Sequence, residues 1–467
     1  MMVSTPEIKT VGELRQSGYQ VLPVKEELRK NLIAKIRAEE ILFPGIIGFN
    51  DTVIPQLENA ILAGQDVILL GERGQAKSRL IRSLVNLLDD YIPKVAGCEI
   101  NDDPYQPICQ ACLEKASEQG ADLAIEWLAR DDRYSEKLAT PDISIADLIG
   151  EIDPIKIAEG RYLSDELAIH YGLVPRTNRG IFCINELPDL AERIQVGLFN
   201  LMEERDVQIK GYRIRMPLDV YVVSTANPED YTNRGRIVTP LKDRYGSQIH
   251  THYPKTIAEE ISIMDQERAH FPDENNLVIP AFIKEILAEI TAQARSSSEI
   301  NQRSGVSVRV SITNYETLLS NSVRRAIRHG DTVACPRVSD LPFIVASFGG
   351  KIELETFEEG REGRVMEDLI KKAVLRVFGT YFDVADLEDL VLSFDLGNAA
   401  ETGCEKHASE YQEMMKRLDG LAAAVHQITD DRRPEAVASA VEFVLEGLHL
   451  NRKLNCQRTP LGYLYNR

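Results

Sequence analysis

One stretch of eight residues, Gly71-Glu72-Arg73-Gly74-Gln75-Ala76-Lys77-Ser78, limits the folds open to this chain more than any other feature. It follows the apolar run 67–70 and precedes a segment, 80–88, whose apolar residues recur at helical spacing. A strand, a glycine-bearing turn, Lys-Ser and a helix together form the usual context of a phosphate-binding loop. The sequence therefore predicts a polyphosphate site in an α/β fold.

Each residue of this loop is expected to contribute to the site. Its backbone N–H groups would point at phosphate oxygens, and the helix N-terminus would add partial positive charge. Lys77 would reach the β- and γ-phosphates, and the Ser78 hydroxyl would hold Mg²⁺. Ala76 stands where a second glycine is usual. The alternative is a chance loop before a core helix, and the flanking strand and helix argue against it.

A second apolar run, 181–184, ends in Asn185-Glu186. A buried parallel strand that ends in acidic residues suits the other half of a nucleoside triphosphatase site. The usual pair there is Asp-Glu, in which Asp helps hold Mg²⁺ through water and Glu polarises the attacking water. Here Glu186 is present and Asn185 replaces the Asp. A core strand with a capping Asn is the alternative interpretation.

Charge and composition narrow the range of partners. The chain has 467 residues, a net charge of −19 and seven cysteines. An acidic chain does not offer the broad basic face that nucleic-acid binding requires, so no nucleic acid is expected. No apolar run is long enough to cross a bilayer, and the first residues lack a signal-peptide pattern, so we expect no membrane contact and a cytoplasmic location. The odd, uneven cysteines do not indicate a disulfide framework.

Residues 97–141 are predicted to form an insertion that contains Cys98, Cys109 and Cys112, with a helix around 113–128. The Cys-x-x-Cys pair can place two thiolates on one tetrahedral metal, and a third cysteine upstream favours zinc. The segment contains no histidine, so Asp102, Asp103 or a more distant residue would supply the fourth ligand. A set of redox-inert, partly buried thiols is the alternative to a structural Zn²⁺ site.

Further elements follow from hydrophobic patterning. Residues 190–204 are predicted to form an amphipathic helix with Val196 among its interior positions, and 207–216 are predicted to form a hairpin. A third buried strand, 219–227, ends in Asn227. Helical periodicity then dominates, for example at 283–290 and 315–327.

Together these motifs resemble the AAA+ ATPases of the helix-2-insert branch, which include the magnesium chelatase ATPase subunit and the MoxR-like proteins. The resemblance covers roughly residues 40–330. The matching residues are the Gly71–Ser78 loop, Asn178-Arg179-Gly180 before the Glu186 strand, the 197–204 helix, Thr225-Ala226-Asn227-Pro228 and Asp243-Arg244-Tyr245. The resemblance implies a doubly wound parallel-sheet core with a smaller all-helical lid.

The resemblance also implies roles for residues of the site. An Ala at the position of Ala76 also occurs in MoxR-like proteins. Asn227 would be the sensor that orients water, and Arg244 the arginine finger that reaches a neighbouring subunit. Ile47-Gly48 would form part of the adenine pocket. Arg309 would meet the γ-phosphate from the lid, with an ordinary solvated arginine as the alternative.

The family further implies a Mg²⁺-ATP-driven homo-oligomeric ring, commonly a hexamer. Such a ring acts as a chaperone or motor on a partner that carries a von Willebrand-type, metal-ion-dependent adhesion module. The predicted domains are a helical segment at 1–40, the nucleotide-binding core at 41–255, the lid at 256–385 and a helical extension at 386–467.

Other functions stay open at this point. A sigma-54-type transcriptional activator would need a DNA-binding helix-turn-helix and a polymerase-contacting loop, and the sequence shows neither. A nucleotide-gated scaffold with slow or no hydrolysis is compatible with Asn185. A true magnesium chelatase subunit is a weaker match because of the cysteine-containing insertion and the C-terminal segment.

Overall fold

The computed structural model describes most of the chain, and it divides into two compact units, Met1–His252 and Tyr253–Arg467. The described residues are 6–153, 155, 158, 166–203, 206–208, 215–227, 236–272, 276–302, 305–355, 361–460 and 462–467.

A five-stranded sheet forms the centre of the first unit. Its strands are β1 (Val67–Leu70), β2 (Tyr134–Leu138), β3 (Gly180–Asn185), β4 (Val220–Ala226) and β5 (Ser247–His250). They lie in the order β5-β1-β4-β3-β2, and every neighbouring pair is parallel. The carboxyl ends of β1, β4 and β3 therefore meet at one edge of the sheet, where ligands bind in doubly wound folds.

Both faces of this sheet are covered, which explains why its inner strands are almost entirely buried and mostly apolar. Alternate residues of β1 belong to two hydrophobic clusters: Ile68 and Leu70 to one, Val67 and Leu69 to the other. This confirms the predicted doubly wound α/β core. Its described helices are Val11–Gln16, Val24–Arg37, Val53–Leu62, Lys77–Ser83, Gln110–Gln119, Ile145–Leu148, Leu173–Arg176, Glu192–Gly197, Phe199–Glu203 and Thr239–Arg244.

The inserted region differs from its prediction in two places. The helix there ends at Gln119, because Gly120 turns the chain with φ +55°, and residues Ile125–Ala129 form a strand antiparallel to Tyr91–Val95. The central strand β2 also lies inside the predicted range 97–141, so that range extends too far. As an edge strand, β2 is only half-buried and lacks the apolar run that identifies inner strands.

The predicted helix 190–204 is two helices, Glu192–Gly197 and Phe199–Glu203, and Val196 is 51% exposed rather than interior. The buried Gln195 is responsible: its amide donates to Leu190 O at 2.8 Å and its carbonyl accepts from Val238 N at 2.9 Å. These bonds turn position 195 inward and its neighbour outward. The predicted hairpin is confirmed by Asp206–Gln208 pairing with Arg215–Pro217, and Gly150–Ile152 pairs with Ile169–Tyr171.

The second unit is mainly helical around one hydrophobic core, which residues of the predicted lid and of the predicted extension share. The extension is not wholly helical, because Ala400–Thr402, Asn455–Thr459 and Gly462–Asn466 form an antiparallel sheet. No helix in the described ranges is long and apolar enough to cross a bilayer. The described helices are Ile257–Glu267, Ala281–Ser296, Val308–His329, Val345–Phe348, Arg361–Tyr381, Glu388–Asp395, Ala408–Arg417, Leu421–Ile428 and Pro434–Leu450.

Candidate nucleotide site and cysteine cluster

The phosphate-binding loop leaves β1 in a conformation that requires small residues. A Cβ at Gly71 would collide with the Thr251 hydroxyl and with the side-chain oxygen of Gln75. Gly74 has φ +76°, and Ala76 has φ +53° and ψ +14°, immediately before the helix Lys77–Ser83. Ala76 thus adopts the left-handed conformation for which a glycine is usually used, at a cost of roughly 1–2 kcal/mol.

Lys77 joins the loop to the end of β4. Its buried ammonium donates to the carbonyl of Gly71, to the carbonyl of Glu72 at 2.7 Å and to Asn227 Oδ1 at 2.7 Å. The sequence therefore places a cation among oxygen acceptors at the carboxyl edge of the sheet, where a polyphosphate would offer further oxygens.

A second chain of hydrogen bonds joins Ser78 to the ends of β3 and β4. The Ser78 hydroxyl donates to Asn185 Oδ1 at 3.3 Å, and the Thr225 hydroxyl donates to the same oxygen. Thr225 Oγ1 in turn accepts from the backbone N–H of Glu186 at 2.9 Å. Glu186 itself has φ +57°. The structure thus brings Ser78, Asn185 and Glu186 together, with Thr225 as the buried connector.

Four residues that the sequence patterns did not indicate connect the chain just after the predicted adenine segment Ile47-Gly48 with the phosphate loop. Thr251, just after β5, donates to Gln75 Oε1 of the loop at 2.7 Å. The next residue, His252, bonds the Thr52 hydroxyl at 2.7 Å and meets the Phe49 ring edge-on at 5.1 Å between centroids. A polar residue directly after a buried strand was the available signal. These contacts link segment 47–49 to the phosphate loop.

Arg244 lies at the end of the helix Thr239–Arg244, apart from the Lys77 contacts. Its guanidinium donates to Glu203 Oε2, with Nε at 3.1 Å, and to the carbonyl of Pro240 at 2.7 Å. It also covers the Phe199 ring at 5.0 Å. Arg309 belongs to the second unit, where it is exposed in the first turn of Val308–His329. Glu204 and Pro228 of the matched motifs lie outside the described residues.

Comparison with curated proteins finds magnesium-chelatase subunits among the relatives of this chain. The magnesium-chelatase subunit ChlI of Nostoc sp. is 30% identical over 268 residues, which are 55% of this chain and 65% of that protein. The chain resembles the AAA+ subunit of magnesium chelatase. The Anabaena variabilis subunit is also 30% identical, over 48% of this chain and 62% of its own length, and a Methanocaldococcus jannaschii homolog is 27% identical, over 42% and 51%.

The chain thus spans about half to two thirds of the length of these magnesium-chelatase relatives. No protein-family model matches it. Among solved structures, a complex of the magnesium-chelatase subunits BchI and BchD aligns over 71% of this chain and 99% of that chain, at 20% identity and a TM-score of 0.36. Brucella abortus NtrX with ATP aligns over 83% and 72%, at 13% identity and 0.40. Both TM-scores are below 0.5, so the resemblance rests on the sequence relatives.

This magnesium-chelatase-like chain also carries a buried cluster of four potential metal ligands. The ligand atoms of Cys98, Asp102, Cys109 and Cys112 all lie within 4.8 Å of one another. Each of the four residues is at most 6% exposed. Asp103, the other predicted candidate, instead accepts from the backbone N–H of Tyr105 at 2.8 Å. The described residues contain no other group of this kind.

Proton affinities in the cluster are shifted in opposite directions. Hydrogen bonds from Cys109 and Cys112 lower the pKa of Cys98, whereas hydrogen bonds to the other two thiols raise the pKa of Cys109. Burial, and then the charge on Cys98, raises the pKa of Asp102 to about 6. Several acidic groups are therefore crowded at one buried point, where the raised pKa values favour protonated forms and a bound cation would favour the deprotonated ones.

Proposed function

We propose that this chain binds and hydrolyses ATP with Mg²⁺. The observation that carries the proposal is the convergence of Lys77, Ser78, Asn185, Glu186 and Asn227 at the carboxyl ends of β1, β3 and β4. Phosphoryl transfer needs little covalent chemistry from the protein, so catalysis depends on positioning and on charge stabilisation. A site built from these side chains can supply both.

In this proposal Lys77 contacts the β- and γ-phosphates. The Ser78 hydroxyl and, through water, the Asn185 amide oxygen hold Mg²⁺, since both are hard oxygen donors of the kind that this ion accepts. Bound Mg²⁺ would neutralise charge on the phosphates. Glu186 polarises the attacking water and Asn227 orients it. Thr225, on β4, fixes the end of β3 through its two hydrogen bonds, one with Asn185 and one with the backbone N–H of Glu186.

We further propose that the chain works as a homo-oligomeric, hexameric ring in which Arg244 reaches the site of a neighbouring subunit. Its pairing with Glu203 and Pro240 rather than with the phosphate loop supports a role outside the subunit's own site. By resemblance to magnesium-chelatase subunits, the ring would act as a chaperone or motor on a von Willebrand-type partner. Co-purification in the presence of ATP tests the partner: recovery of RNA polymerase instead would favour a transcriptional activator.

A slow nucleotide-gated scaffold is the second candidate, and Asn185 is the observation that favours it. An amide oxygen can accept from a metal-bound water but carries no charge. Ser78 and Asn185 are both uncharged, so they attract Mg²⁺ less strongly than a site with an Asp at position 185 would. We propose that turnover is consequently slow and requires a raised Mg²⁺ concentration.

The central proposal is tested by replacing Lys77 with Ala. Removing the ammonium should abolish most nucleotide affinity or turnover, because it removes the positive charge that Lys77 would place at the β- and γ-phosphates. Arg82→Ala is a matched control on the same helix, since Arg82 pairs with Glu136 at the surface. The measurements are ATP hydrolysis and equilibrium nucleotide binding. Wild-type values for both in Lys77→Ala would refute the assignment.

We also propose a structural Zn²⁺ held by Cys98, Cys109 and Cys112. Three buried thiols within reach of one another support it, because such a set binds one tetrahedral ion tightly. Zinc analysis of protein purified without chelator tests the proposal. A content below about a tenth of an equivalent would contradict it, because a closed thiolate site retains its metal.

A further inference from the structure

We propose that Asp102 is the fourth ligand of this site, so that the cluster is a closed Cys₃Asp zinc centre. The inference rests on the proposed structural zinc and is independent of the proposed ATPase activity. The Asp102 side chain is completely buried, yet its Oδ1 has no hydrogen-bond partner. A carboxylate oxygen in such a position is strongly unfavourable unless an ion or a donor faces it.

The other oxygen of Asp102 is fixed by the protein. Asp102 Oδ2 accepts from the backbone N–H groups of Ile108 at 3.1 Å and of Cys109 at 3.0 Å. These bonds hold the carboxylate beside Cys109, and Cys112 lies one helical turn further on. Hydrogen bonds of this type, from protein groups that do not touch the metal, orient ligating carboxylates in metal sites. The orientation leaves Oδ1 as the atom available to a metal.

The spacing of the four residues also fits one tetrahedral ion. Cys98 and Asp102 lie on the turn after the strand Tyr91–Val95, and Cys109 caps the helix Gln110–Gln119 that contains Cys112. Ligands about 2.0–2.3 Å from a tetrahedral zinc lie roughly 3.3–3.8 Å apart. The four ligand atoms here all lie within 4.8 Å of one another, so small shifts would bring them onto one ion. A tight turn and a helix N-terminus therefore supply two ligands each.

Three thiolates and a carboxylate carry more negative charge than one Zn²⁺ neutralises, and the surroundings offset the excess. The sulfurs of Cys98 and Cys109 accept from the backbone N–H groups of Asp102 and Cys112, each at 3.4 Å. Lys94 and Lys115 hold the turn from outside through the carbonyls of Cys98 and Ala96, each at 3.2 Å. A set of four anionic ligands is therefore compatible with this position.

The test compares Asp102→Asn with Asp103→Asn in the full chain. Asn keeps an oxygen that can accept from the Ile108 and Cys109 N–H groups, so the turn should fold while the anionic ligand is lost. Zinc affinity, measured by competition with a chromogenic chelator, should fall by at least about 100-fold in Asp102→Asn, since loss of a group that only hydrogen-bonds to a metal ligand already costs about 10–100-fold. Zinc affinity should be unchanged in Asp103→Asn, because Asp103 only accepts a hydrogen bond from the backbone N–H of Tyr105 within the turn.

X-ray absorption of zinc in the wild-type protein gives a readout that does not depend on folding of the variants. The expected shell is three sulfurs at about 2.3 Å and one oxygen at about 2.0 Å. Equal affinity of the two variants, or a shell of four sulfurs, would overturn the assignment of Asp102 while leaving structural zinc in place. Lys77→Ala should keep its full zinc content, which separates this inference from the ATPase proposal.

Discussion

At the scale of single residues, Ala76 carries a backbone cost that the chain could avoid. Its φ of +53° disfavours an L-residue by roughly 1–2 kcal/mol, whereas glycine costs about 0.5–1 kcal/mol in chain entropy. Ala76→Gly should therefore stabilise the protein by about 0.5–1 kcal/mol. Denaturant unfolding measures the change.

Ala60→Gly provides the matched control, because Ala60 is buried inside the helix Val53–Leu62, where the same replacement should destabilise by about 1 kcal/mol. If Ala76→Gly proved equally destabilising, the left-handed conformation assigned to Ala76 would be wrong.

Asn185 gives a second prediction at this scale. An Asp there could accept the same bonds from Ser78 and Thr225 and would add a negative charge beside the proposed Mg²⁺. Asn185→Asp should lower the Mg²⁺ concentration for half-maximal ATP hydrolysis and raise the basal rate. A Mg²⁺ titration of both proteins measures this, with the exposed Asn59→Asp as the charge-matched control. Coincident curves for Asn185→Asp and wild type would remove Asn185 from the metal's surroundings.

The residues of the site could be predicted from the sequence better than the hydrogen bonds and ring contacts that join them. It predicted that the loop and two strand ends would meet, and the bonds of Lys77 to Asn227 and of Ser78 to Asn185 show that they do. The strand context made this possible, because carboxyl ends of parallel strands share one edge. The part played by Thr225, and the contact of Phe49 with His252, depend on side-chain rotamers and on loop packing that spacing does not encode.

At the scale of elements, the helix Thr239–Arg244 determines where the predicted finger lies. If Arg244 acts on a neighbouring subunit, Arg244→Ala should slow hydrolysis strongly; arginine fingers contribute about 10³–10⁵ in other NTPases. Mixing Arg244→Ala subunits with Glu186→Gln subunits should restore part of the rate, because mixed rings contain interfaces with both intact residues. Lys242→Ala, on the same helix, should stay near wild type. An absence of rescue in rings shown to be mixed would argue against action in trans.

Long helices were easier to predict than strands at the edge of a sheet. The periodic segments around 283–290 and 315–327 are the helices Ala281–Ser296 and Val308–His329. The helix predicted around 113–128 includes most of the strand Ile125–Ala129, whose buried residues at 125 and 128 have a helix-like spacing. Its antiparallel partner Tyr91–Val95, more than 25 residues earlier in the chain, decides its conformation. Pairing over that distance overrides local propensity.

At the scale of the whole molecule, the doubly wound core could be predicted because a phosphate-binding loop after a buried strand occurs in few architectures. The small sheet of the second unit could not. Its strand Asn455–Thr459 is largely polar and partly exposed, and Gly462–Asn466 has only the short run Tyr-Leu-Tyr at its centre, so both lack the alternation that indicates a half-buried strand. Their third partner, Ala400–Thr402, lies over 50 residues away.

The bonds of Lys77 have a consequence for the order of events at the site. An ammonium group has three hydrogens, and Lys77 directs bonds to three protein oxygens, one of which belongs to Asn227. A phosphate oxygen that reaches Lys77 therefore competes with these acceptors. If Asn227 is the acceptor displaced, filling of the loop and release of the Asn227 amide become a single step. The Asn227 amide would then be free to orient water only when a phosphate is bound for that water to attack.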